Sequence, residues 1–160
     1  MSTLPQLIEE DIDRLNEELR GLLTHTDATT ALLIDVGGFL ITSQGEDRHF
    51  DLTTIAALAS GAYMANQTIA NLVHEENFNS VYQQGQKFSM FVIAVDEQCM
   101  LVVIFKATVS VGLVKYFAEP AAAHIARQMV IAHERDPANG FDLSVLNVAD
   151  TADLFKRKGS

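Results

Sequence analysis

The sequence predicts an α+β fold, a single layered domain in which helices cover a five-stranded antiparallel sheet in the order α-β-β-α-β-β-β-α. Three observations predict it. The first segment repeats apolar residues at three- and four-residue steps, a long middle segment carries no charge, and five short runs rich in β-branched residues are separated by turn residues. A length of 160 residues fits one such domain over residues 4–135 and an extension over 136–160.

Between Leu4 and Leu23, the residues Leu7, Ile8, Ile12, Leu15, Leu19 and Leu22 keep helical spacing, with acids and Arg14 and Arg20 between them, as in an amphipathic helix. The runs ATTALLID and FLITS flank Val36-Gly37-Gly38 and read as a β-hairpin. Asp51 caps a second helix expected to run to about Glu76, roughly 25 residues and some 37 Å. NFNSVYQQ, KFSMFVIAVD and QCMLVVIFK follow as a three-stranded meander, with turns at Gly85-Gln86 and Asp96-Glu97. A third helix starts between Val111 and Pro120, which either opens or kinks it, and continues through AAAHIARQMVIAHE. The breaker cluster from Asp136 to Gly140 ends it, and ADLFK offers a short terminal helix.

Composition narrows the function. Apolar residues make up 48% of the chain and charged ones 20%, which supports a buried core rather than disorder. Eleven Lys and Arg against 21 Asp and Glu leave a formal charge of −10, which repels polyphosphate and anionic headgroups, so nucleic acid is not an expected partner. The one cysteine, Cys99, lies in the apolar run CMLVVIF and reads as a buried thiol of a reducing compartment. Glu9, Glu10, Asp11 and Asp13 stand where a secretory signal needs basic and then apolar residues, and no run reaches membrane-spanning length. The expectation is a cytoplasmic protein without membrane insertion.

The most informative segment runs from Leu52 to Val73. These 22 residues contain no Asp, Glu, Lys or Arg, an outcome expected by chance in only about 1% of such stretches. Gly61, Asn66, Gln67, Thr68 and Asn71 make it too polar for hydrocarbon. Placed 100° apart, Leu52, Ile55, Leu58, Ala59, Ala62, Ile69 and Val73 form the side expected on the sheet. The opposite side carries Thr53, Ala57, Ser60, Met64, Gln67 and Asn71, small or uncharged where a solvated helix places Glu and Lys, and is read as a partner interface. The competing reading buries this side under the chain's own tail. NFNSVYQQ adds an uncharged outer strand whose Asn79, Val81 and Gln83 join the candidate interface. Pairing of that edge with its own copy across a two-fold axis would give an isologous homodimer; a covered edge is the alternative.

The signatures of nucleotide, zinc, hydrolase and thiol-redox chemistry are missing from the sequence, so no catalytic, cofactor-binding or metal residues are expected. His74-Glu75-Glu76 reads as a solvated helix end rather than an acid/base group. His124 and His133 are nine apart on one helix and point to opposite sides, so they share no metal. Asn66-Gln67-Thr68 matches a glycosylation sequon in the wrong setting, inside a helix. Arg48 has the position of an arginine finger but reads first as a solvated loop residue.

ALLIDVGGFLITS, LTTIAALASGAYMANQTIANLV and VYQQGQKFSMFVIAVDEQCMLVVIFKATVSVGLVKY together resemble the Roadblock family of dynein light-chain-related proteins, in particular its MglB-like branch. The resemblance covers roughly residues 7 to 133 and is carried by Asp35-x-Gly37-Gly38 between two strands, the uncharged helix, Gln84-Gly85 and Gly112-Leu113-Val114-Lys115. It implies a Roadblock-like α/β/α layered domain with one helix on one face of the sheet and two on the other, and dimers built through the second helix and third strand. It also implies a non-enzymatic regulator of a small Ras-like GTPase of the MglA type in cell polarity or motility. Such a regulator accelerates GTP hydrolysis by repositioning the GTPase's own switch residues, without an arginine finger, which suits a reaction governed by positioning and charge. A non-catalytic adaptor and a small-molecule sensor with a cavity between helix and sheet are the alternatives.

Overall fold

The computed structural model describes residues 4–46 and 48–135; the expected extension over 136–160 and its short helix lie outside the described residues. Three helices, α1 (Glu9–Thr26), α2 (Leu52–Leu72) and α3 (Val111–Arg135), accompany five strands: β1 (Thr30–Asp35), β2 (Leu40–Gly45), β3 (Ser80–Gln83), β4 (Phe88–Ala94) and β5 (Cys99–Lys106). The sheet has the order β2-β1-β5-β4-β3, and every neighbouring pair is antiparallel. This is the predicted α/β/α architecture, with β3 at one edge as expected.

Side-chain alternation along the inner strands builds two cores. Ala31, Leu33, Leu101, Val103 and Phe105 face α1 and α3, where Leu15, Leu19, Ile125 and Met129 meet them. Leu32, Ile34, Met100, Val102 and Ile104 face α2 through Leu52, Ala56 and Ala59. Because both faces are covered, β1 and β5 read as nearly continuous apolar runs rather than as alternating ones. Cys99 lies in this interior, and burial, with Asp96 beside it, pushes its thiol well above the ordinary range and leaves it inert.

Two boundaries differ from expectation, and the start of α3 falls at the early end of its expected range. α1 begins at Glu9, not Leu4, because the Asp11 carboxylate accepts the backbone N–H of Ile8 at 2.9 Å and sets the helix entry there. Leu4 and Leu7 still pack on the core, which extends the apolar spacing beyond the helix. α2 ends at Leu72, not near Glu76: His74 turns left-handed (φ 65°) and the N–H of Glu75 returns to the carbonyl of Ala70 at 2.8 Å. α3 starts at Val111, and Pro120 lies within it on the exposed side, so it does not open the helix.

Candidate partner interface on the second helix

Asp51 caps α2 as predicted, its carboxylate accepting the N–H of Thr54 at 3.1 Å and its hydroxyl at 2.7 Å. These two bonds, the hydroxyl's first, hold the Asp51 carboxyl below its usual range. From this cap α2 runs about 31 Å across the sheet. Leu52, Ile55, Ala56, Ala59 and Tyr63 lie against the strands, and burial raises the Tyr63 phenol.

The side of α2 turned away from the sheet carries Thr54, Leu58, Gly61, Ala65, Ile69 and Leu72 at steps of three or four residues, all exposed. Leu58 is 69% exposed, Ile69 47% and Leu72 74%. An apolar seam of this length without a charge is the composition of a helix that packs on another polypeptide. The helical wheel places Leu58, Ala62, Ile69 and Val73 on the sheet, whereas in the structure all four are exposed. A helix apolar on two sides has an average direction lying between them, and the wheel follows that average.

The nine candidate interface residues separate into groups. Thr53, Ala57, Met64 and Asn71 are exposed, whereas Ser60 is buried and Gln67 half-buried, so the six α2 residues do not form one outward face. Ser60 Oγ donates to the carbonyl of Val36 at 2.5 Å, and Gly38 at the hairpin tip lies close against Ala57. That tip therefore covers part of the predicted face. Met64, Gln67 and Asn79 line an open groove of about 490 Å³ with Tyr63, Phe78 and Glu97. Val81 and Gln83 of β3 line a narrow crevice against Ala62 and Asn66, with room for about 10 Å³.

Gln67 is the incompletely bonded member. Its Nε2 donates to the Phe78 carbonyl at a long 3.4 Å, while Oε1 is buried without a donor among the described residues. Leu58, Ala65, Ile69 and Leu72 are interface candidates that the sequence reading misses; their three- and four-residue spacing is visible, but no signal separates them from core. Among the described residues no group of His, Cys, Asp and Glu is arranged to hold a metal ion, and no helix is long and apolar enough to cross a membrane.

Comparison with known proteins gives this geometry a context. The family model of the Roadblock/LC7 domain matches residues 15–105, more than half of the chain. No curated protein matches the sequence. Among solved structures, "MglB with tetrameric arrangement" is 30% identical, with a TM-score of 0.77 over 82% of this chain and 99% of the other. The gliding protein MglB of Thermus thermophilus is 29% identical, with a TM-score of 0.76 over 82% and 99% of the two chains. Myxococcus xanthus MglB is 28% identical, with a TM-score of 0.74 over 79% and 96%. With the family model matched over most of the folded domain and the same architecture shared at 30% identity along a whole solved relative, the chain belongs to the Roadblock/LC7 family.

Proposed function

We propose that this protein is a homodimeric regulator of a small Ras-like GTPase of the MglA type, and that it accelerates GTP hydrolysis by repositioning the GTPase's own switch residues in cell polarity or motility. The observation that carries the reading is the uncharged outer seam of α2, bare in the single chain, on a domain that resembles MglB over nearly its whole length. Two α2 helices side by side, with the β3 edges joined, would form a continuous platform for one GTPase. Small residues such as Gly61 and Ala65 let a second backbone approach closely, and adaptable Met64 suits a contact that rearranges. The regulator needs no acid, base or metal of its own, since phosphoryl transfer depends on positioning and charge.

The crevice between α2 and β3 has room for about one water, which favours packing over a ligand-sensing cavity there. GTP turnover by the cognate GTPase, measured with and without this protein, tests the reading. Acceleration is expected; unchanged turnover with the complex formed would leave an adaptor, and unchanged turnover without a complex would remove the GTPase altogether.

A further inference from the structure

The opposite layer carries a second uncovered face. On the outer side of α3, Tyr116, Glu119, Ala123, Arg127 and Val130 recur at steps of three or four residues, and all are exposed. Tyr116 is 71% exposed and Val130 54%. Glu119 reaches Lys115 only at 3.9 Å, and Arg127 has no ion-pair partner among the described residues. The order of these residues is the same, in complementary chemistry, when read outward from Ala123 in either direction: a charge of opposite sign four residues away, then a large apolar side chain seven away.

We propose that α3 is a self-association face, independent of α2, in which two copies of this chain pair antiparallel about a two-fold axis at Ala123. The pairing sets Tyr116 against Val130 of the second copy and Glu119 against Arg127 of the second copy, each contact occurring twice, as a two-fold axis requires. Ala123 at the centre admits close approach of the helices. The apolar contacts span about 21 Å along α3. The opposed charges fix the antiparallel register, because a parallel pair would bring like charges together. Two copies of formal charge −10 repel at long range, and setting acid against base offsets that repulsion at this contact.

The test uses the full chain with Ala123→Cys, since a residue on the axis meets its own copy; Cys99 is buried and inert. Mild oxidation is expected to join Ala123→Cys chains into a covalent dimer, while Glu10→Cys on α1 stays unjoined. Glu119→Arg or Arg127→Glu, added singly, is expected to lower cross-linking about tenfold, and both together to restore it. Failure of Ala123→Cys to cross-link above the Glu10→Cys level overturns the proposal. So does a double charge swap that melts like the parent yet cross-links no better than either single.

Discussion

Arg135, the last residue of α3, closes on the carboxylate of Asp11 in the first turn of α1, Nη1 to Oδ2 at 3.0 Å and Nη2 to Oδ1 at 2.5 Å. Gln128 Nε2 and the N–H of Ile8 donate to the same carboxylate at 2.8 and 2.9 Å, and the Asp11 side chain is fully buried. A buried carboxylate is tolerated because every face of it is occupied by a donor. The network ties the entry of α1 to the end of α3 and fixes the layer on which the proposed α3 pairing depends.

Asp11→Ala is therefore expected to cost about 3 kcal/mol, since it leaves the donors of Arg135 and Gln128 without their acceptor. The Arg135 guanidinium, foremost, holds the Asp11 carboxyl below its ordinary value of 3.8. A depressed folded-state value gives stability that is complete above the unfolded value and is lost as pH falls through the lower folded one. Thermal melts from pH 6 to 2 should show this loss in the parent and a shallower acid limb in Asp11→Asn. Parallel limbs would place the acid sensitivity elsewhere.

Ser60→Glu and Leu58→Glu, two residues apart on α2, should fail in different ways. Ser60 is buried and bonded to Val36, so a charge there is expected to destabilise the fold by about 3 kcal/mol. Leu58 points outward, so the same charge should leave the melting temperature within a few degrees while weakening self-association or GTPase binding about thirtyfold. Denaturant melts and sedimentation of both variants separate the two effects.

Gly38→Ala tests the hairpin tip. Gly38 has φ +96°, and an added Cβ would lie 3.2 Å from Cα of Ala57. The backbone strain and the contact together predict a loss of about 1–3 kcal/mol, whereas Gly61→Ala, on open surface inside α2, is expected to gain up to about 1 kcal/mol. Equal melting temperatures for the two variants would show that the tip yields freely.

Gln67→Met is expected to raise stability by about 1 kcal/mol, because it removes a buried acceptor without a donor and gives up only a long bond to Phe78. A denaturant midpoint below the parent's would mean that the amide is satisfied in solution.

Much of this fold is legible in the sequence because its signals are local. The Asp51 cap, the Gly37-Gly38 hairpin tip and the turns between the last three strands each rest on a few adjacent residues, and the structure has them at those places. What escapes depends on tertiary contacts. Leu4 and Leu7 continue the helical spacing without being helical, since they serve the same core from the irregular segment before α1. On α2, Leu58 and Ile69 are as apolar as Leu52 and Ile55, and only the position of the sheet tells which pair packs on the core. Likewise, the contact of Gly38 with Ala57 brings together residues that the sequence separates.

Hydroxyl-radical footprinting of the full chain at micromolar concentration tests most directly whether another polypeptide covers the outer seam of α2. Leu58 and Leu72 are more exposed in the single chain than Ile8, which is 41% exposed. Labelling of both leucines well below that of Ile8, with further protection on adding the GTP-loaded GTPase, is the predicted result. Labelling that follows single-chain exposure, unchanged by the GTPase, would contradict the account.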